Sequence, residues 1–233
     1  MPPSYPQRVF ALPADAKEIV LLRHGAAAPA VPDEPFDLVG GHSDPPLAPE
    51  GLEQAEAAAR RLAGERLEAL FVTPLQRTAQ TAAPLAAATG LEPVVVPELR
   101  EVHLGDWEGG EFRIRMHHRD PIALEALERE RWDVIPGGEP KDDFIARLRT
   151  GLGRIAAAHP DQRVAVFTHG GVIGQLLSVA VGTERGFAFV GADNGSISHL
   201  VLHGDRWIVR RFNDTAHLTD GMDLDPEPDL PMS

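Results

Sequence analysis

Four short apolar runs alternate along this chain with stretches whose apolar residues recur every three to four positions. That alternation restricts the fold more than any other feature of the sequence. The runs are KEIVLLR (17–23), LEALFV (67–72), EPVVVPEL (92–99) and RVAVFT (163–168). The first and last are rich in β-branched residues, and all four read as strands buried on both faces. Between and after them lie four helical patterns: Leu52, Ala55, Ala59, Leu62; Leu75, Ala79, Ala82, Ala86; Phe144, Leu148, Leu152, Ile155; and Val172, Ile173, Leu176, Leu177, Ala180. Strands alternating with helices predict an α/β fold: a three-layer sandwich with a mostly parallel central sheet and helices on both faces. SISHLVLHGDRWIVRRF (196–212) reads as two strands around the turn HGDR, a hairpin added to one edge. From about 104 to 140 there is no strand signal, and the charged, partly helical text predicts a helical insertion over one end of the sheet, above the site described next.

The 233 residues suffice for one domain with a well-filled core, expected over 17–219. Residues 1–16, punctuated by proline, read as a loose N-terminal arm, and 220–233 as an acidic, proline-rich tail. The net charge is −13, and the five acids of the tail (Asp220, Asp223, Asp225, Glu227, Asp229) account for only part of it. A general attraction to nucleic acid or to an anionic membrane is therefore disfavoured, and an anionic ligand needs its own local cluster of positive charge. With no cysteine, disulfides, thiolate metal sites and cysteine nucleophiles are excluded together. The start lacks a basic segment followed by a long apolar one, and no stretch approaches 18 consecutive apolar residues, so a cytoplasmic location is expected.

Ligands of open α/β sheets bind outside the carboxyl ends of the strands. Here the first strand ends in Arg23, His24 and Gly25, and the second in TPLQRTAQT, where Thr73 reads as a helix N-cap, Pro74 as the first helical residue and Arg77 as a side chain of the opening turn. The third leads into LREVHLGDWEGG with Glu101, and the fourth into THGG with His169 and Gly170. Singly, each has an ordinary structural reading. Together, two arginines, two histidines and a carboxylate at one end of one sheet amount to a pocket for a tetrahedral anion that carries its own acid.

The motifs LLRHG, SDPPLAPEGLEQA, TPLQRTAQTA, LREVHLGDWEG, PGGE and VFTHGGVI, in this order over roughly residues 17–212, resemble the histidine phosphatase superfamily, also called the phosphoglycerate mutase-like family. The resemblance implies that His24 is the nucleophile that becomes phosphohistidine. It implies further that Arg23, Arg77 and His169 hold the phosphoryl oxygens, and that Glu101 is the proton donor. These roles agree with the chemistry. A phosphoryl transition state spreads charge over three equatorial oxygens, so the protein positions it and supplies positive charge. The imidazole attacks as the neutral form, which its reference pKa of about 6.5 allows and neighbouring arginines favour. Glu101 must be protonated to donate, so its pKa needs to rise above about 4.3, as burial under the insertion would achieve. No metal and no cofactor are implied; the partner is a small phosphorylated substrate.

Other candidates carry less. Glu98 is the alternative acid to Glu101, and His42 and Ser43 of GGHSDPP, with the backbone of Gly25 and Gly170, are candidate contacts to substrate oxygens. RIRMHHRD (113–120) reads first as a solvated helix face and second as a basic lip; His117 and His118 diverge on a helix and make a poor metal pair. A phosphatase, with water accepting the phosphoryl group, ranks first among functions. A mutase ranks second, because after RHG the family's mutases carry an acidic or amide residue, a serine and a Trp-Asn pair where this chain has AAAPAVP. A noncatalytic phospho-ligand binding module ranks third, since a binder needs neither nucleophile nor acid. Which phosphate ester is used is not written in these motifs. An exposed edge strand leaves both a monomer and a homodimer open.

Overall fold

A computed structural model describes residues 4–218; the acidic segment 220–233 falls outside the described residues. In chain order the strands are β1 (Lys17–Arg23), β2 (Leu38–Val39), β3 (His42–Ser43), β4 (Ala69–Val72), β5 (Pro93–Val95), β6 (Arg163–Thr168), β7 (Ile197–His203) and β8 (Arg206–Asp214). The helices are α1 (Pro49–Leu62), α2 (Gln76–Thr89), α3 (Glu111–His117), α4 (Pro121–Arg129), α5 (Lys141–Ala158) and α6 (Gly170–Val181). The central sheet has the order β5-β4-β6-β1-β7-β8. β5, β4, β6 and β1 are mutually parallel, and β7 and β8 form the antiparallel hairpin at the edge. β2 and β3 pair separately as a short ribbon.

The period-2 alternation of β1 sorts its residues between two cores. Ile19 and Leu21 pack with Phe144, Leu148 and Leu152 of α5 and Val172, Ile173 and Leu176 of α6. Val20 and Leu22 face the opposite layer, with Ala58, Ala59 and Leu62 of α1 and Ala82 and Leu85 of α2. This is the expected three-layer sandwich. A third, smaller core of Trp107, Met116, Ala123 and Ile135 supports residues 104–140, where α3 and α4 are joined by two 3₁₀ turns (Gly105–Trp107 and Trp132–Val134). No helix among the described residues is long and apolar enough to cross a membrane.

Three local expectations are corrected. β5 is not buried on both faces: among the described residues it pairs only with β4, and Val94 and Val95 are about half exposed. Its brevity and its opening Pro93 suit an edge. On α1, Leu52 points to solvent at 51% exposure while Gly51 is buried, because the first turn rests directly on the backbone after β1. A Cβ at Gly51 would lie 2.0 Å from the Ala26 carbonyl oxygen, and one at Gly25 would lie 2.3 Å from that of Gly51. Finally, α2 begins at Gln76 rather than at Pro74, and Thr73 is not its cap. The capping acceptor comes from afar: Asp44 Oδ1 accepts the Gln76 backbone N–H at 2.7 Å.

The glycine crossing makes a test with opposite signs. Gly153 lies exposed inside α5 with open space around it, so Gly153→Ala is expected to stabilise by about 0.5–1 kcal/mol, the usual helical gain. Gly51→Ala, although also helical, is expected to destabilise by about 2 kcal/mol because two backbones must separate. Urea denaturation of the two variants measures both.

Candidate active site

The ends of β1 and β4 and the segments after β5 and β6 bring Arg23, His24, Arg77, Glu101 and Gly170 around one cavity of about 620 Å³. His24 is 5% exposed, and its backbone is held on both sides of the β1 end. Its N–H donates to the Thr168 carbonyl at 3.0 Å, while its carbonyl accepts from the Asn194 side-chain amide at 3.0 Å and from the Gly195 N–H at 3.2 Å. The ring's Nδ1 lies 2.7 Å from the Gly25 carbonyl oxygen. A carbonyl only accepts, so Nδ1 carries the proton and Nε2 keeps its lone pair. Nε2 in turn accepts from Arg77 Nε at 3.2 Å. The imidazole pKa lies well below its ordinary value, first through burial and then through the charges of Arg77 and Arg23, so the ring is neutral at physiological pH.

Arg77, in the first turn of α2, is only 6% exposed. Burial brings its pKa down to about 10, which leaves it charged at neutral pH. Its NH1 donates to the Ser43 carbonyl at 2.8 Å, which fixes the guanidinium beside His24. Arg23 lines the same cavity and donates to the Ala192 carbonyl. The Gly170 backbone passes so close that a Cβ there would lie 3.3 Å from Arg23 Nε.

Glu101 lines the cavity from the segment after β5. Its two oxygens accept from the backbone N–H groups of Val102 at 2.9 Å and Gly171 at 3.2 Å. Burial nevertheless outweighs those bonds and the nearby arginines, and its pKa is raised. The second glycine of THGG is explained here: a Cβ at Gly171 would lie 2.6 Å from Glu101 Oε1. Glu98, the alternative acid, is turned away and pairs with Arg154 at 2.6 Å.

His169 is fully buried and stands edge-to-face against His24, with ring centroids 5.2 Å apart, rather than on the cavity wall. Its Nε2 is 3.0 Å from Thr73 Oγ1. Its pKa too is well below the ordinary value, through burial and then Arg77. Gly25 is also off the wall, its N–H being taken by Thr81 Oγ1 at 3.0 Å, whereas Gly170, His42 and Ser43 line the cavity. The basic segment does more than form a solvated helix face: Arg113, His117 and Arg119 lie on the rim, and Arg113 NH1 donates to the Ala28 carbonyl at 2.8 Å.

Several supporting residues escaped the sequence reading. Glu108 of LGDWEGG accepts from the N–H groups of Ser43 at 2.7 Å and Leu104 at 2.9 Å and from the Ser43 hydroxyl, so it ties the β3 ribbon to the insertion and steadies the carbonyl that holds Arg77. Glu139 of PGGE forks with Arg147 of α5 at 2.6 and 2.8 Å. Arg147 also donates to the carbonyls of Glu98, Arg100 and Glu101, each at 2.7 Å, and thereby sets the loop that delivers the acid. PGGE, one of the quoted motifs, was the available signal; its long-range arginine partner was not readable.

Residues 19–215 match the family described as the histidine phosphatase superfamily (branch 1). Phosphoglycerate mutase-like protein 4 of Arabidopsis thaliana is 34% identical over 210 residues, covering 88% of this chain and 89% of the relative. The metal-independent phosphoserine phosphatase of the same plant is 31% identical over 229 residues, covering 92% and 91%. Among solved structures, a mycobacterial glucosyl-3-phosphoglycerate phosphatase in complex with inorganic phosphate superimposes with a TM-score of 0.72 at 30% identity, covering 87% of this chain and 99% of that one.

Burial of Glu101 has a pH signature in stability. Its folded pKa is raised, so the native state favours the proton, and the stability linked to that proton is lost as pH rises through the folded pKa. Glu101→Gln, which cannot ionise, is expected to raise the urea midpoint at pH 7.5, with the gain shrinking as pH falls towards 4. A midpoint difference independent of pH would contradict the assigned environment.

Proposed function

The chain belongs to the histidine phosphatase superfamily, branch 1, and on that premise we propose that it is a metal-independent phosphomonoesterase working through a phosphohistidine on His24. The observation that carries the reading is the pairing of a neutral, Nε2-directed imidazole with a partly buried carboxyl whose pKa desolvation raises, in one cavity with two arginines. The phosphatase relatives support it, one of them named as metal-independent.

Arg23 and Arg77 bind the phosphoryl oxygens of the ester, and the anion replaces His24 Nε2 as the partner of the Arg77 Nε–H. His169 supplies a further hydrogen-bonding group behind the nucleophile. Nε2 attacks phosphorus, the P–O ester bond breaks, and Glu101 gives its proton to the leaving oxygen. The charge that builds on the phosphoryl oxygens is met by the two guanidiniums, the task that divalent ions perform in other phosphoryl-transfer sites. In the second half Glu101, now a carboxylate, takes a proton from water as its oxygen attacks phosphorus and the N–P bond breaks, restoring both residues.

The decisive experiment is phosphate release from p-nitrophenyl phosphate and a panel of natural esters, with chelator present. Release is expected to survive the chelator and to fall by at least about three orders of magnitude in His24→Ala. Retention of most activity by that variant would refute the covalent route. Glu101→Gln is expected to slow alkyl esters far more than p-nitrophenyl phosphate, because only a poor leaving group needs the proton; equal losses would point to another acid.

A further inference from the structure

The phosphate-handling residues Arg23, His24, Arg77 and Glu101 are only a few of those that line the cavity. Its volume of about 620 Å³ lies within the range that holds a whole small-molecule ligand, so most of the space serves the part of the substrate that is not phosphate. That part meets Phe36, Phe112 and Trp132, with Leu104, Met116 and Val190 completing an apolar wall.

The aromatic rings are held rather than loose. Phe112 and Trp132 stand edge-to-face at 5.7 Å, and Trp132 packs on Phe187 at 4.5 Å. Both rest on the small core of Trp107 and Met116, yet each is only partly buried, so they keep surface for a ligand. Phe36 lines the same cavity from the loop before β2. Its N–H donates to the Gly109 carbonyl at 2.9 Å, and a Cβ at Gly110 would sit 3.0 Å from its ring, so the paired glycines of WEGG let this loop approach. The Arg113 guanidinium lies over the Phe36 ring at 6.0 Å.

Polar groups suited to a hydroxylated or amino-acid body are scarce on this wall. No Asn, Gln, Thr or Tyr lines the cavity among the described residues. The Ser43 hydroxyl is spent, donating to Glu108 while accepting the Gly109 N–H at 2.7 Å. Glu108 already accepts from three protein donors. Apart from the phosphate-handling residues, the polar side chains left to a substrate are His42, whose buried Nε2 has no partner among the described residues, and the basic Arg113, His117 and Arg119. Against the face of Phe36, Leu104, Phe112, Met116, Trp132 and Val190 a hydroxyl would lose water without regaining a hydrogen bond, whereas a flat apolar body would lose nothing.

We infer that the substrate is a phosphate monoester whose alcohol carries an aromatic or heteroaromatic body, seated against Phe112 and Trp132 and covered by Phe36. The inference rests on the phosphomonoesterase reading, and its test separates the two. The esters compared are 2-phenylethyl and 2-(2-naphthyl)ethyl phosphate against ethyl phosphate and phosphoserine; the two aryl esters and ethyl phosphate all release a primary alkyl alcohol, so the body is what differs. In parallel, binding of 3-phenylpropylphosphonate and propylphosphonate is measured by calorimetry, which needs no turnover.

The aryl esters are expected to exceed ethyl phosphate and phosphoserine in kcat/KM by at least about tenfold, and the arylphosphonate to bind tighter by a similar factor. Phe112→Leu and Trp132→Leu are expected to shrink the aryl-to-ethyl ratio severalfold, a ratio that a general loss of folded protein leaves unmoved. Phosphate release from all four esters without aryl preference overturns the inference and leaves the phosphomonoesterase reading standing. No release from any ester, with the arylphosphonate still preferred, overturns that reading and keeps the aromatic site. No release and no preference overturns both.

Discussion

Arg77 is a buried cation where the end of β1 and the β3 ribbon meet the start of α2, and the architecture around the cavity follows from keeping it there. A guanidinium 6% exposed must have partners, and the structure supplies them from the ring of His24 and from the backbone of Ser43. Those partners need their own support. Asp44, adjacent to Ser43, caps the helix that carries Arg77, so one short loop fixes both the helix end and the side chain leaving it. Glu108 then fastens that loop to the insertion. The charge at the centre thus dictates the course of segments that have no direct part in the chemistry.

The same cluster sets the protonation states. Burial lowers His24 and His169 and raises Glu101, so each neutral form is favoured. This is the combination in which an imidazole can attack while a carboxyl can donate. Such groups are costly to keep inside a protein, and their cost concentrates where the function is.

Much of this was legible in the sequence. The β1 run, with its alternation between two cores, and the four convergent strand ends follow from local patterns, because side-chain period and chain direction decide them. What was not legible depended on contacts between distant segments. Leu52 looked like the buried position of α1 until the Gly25–Gly51 crossing displaced it. Thr73 and Pro74 have the chemistry of a helix start, yet the cap is Asp44, 32 residues earlier. Thr73 is used instead to hold His169. Arg147 is anonymous in its helix and acquires meaning only where three carbonyls of the acid-bearing loop converge on it. The basic segment 113–120 was divided between solvent and cavity by how the insertion folds back, which periodicity does not report.

The hydrogen bond between His24 Nδ1 and the Gly25 carbonyl is made by backbone, one residue away. No substitution of a side chain can remove its acceptor. On the proposed route, the phosphoryl group on His24 is accordingly confined to one of the two regioisomers of phosphohistidine, the one on the nitrogen remote from the main chain. The regiochemistry of the proposed intermediate is therefore a property of the path of the chain after β1, and is inherited by any variant that keeps that path, whatever its substrate.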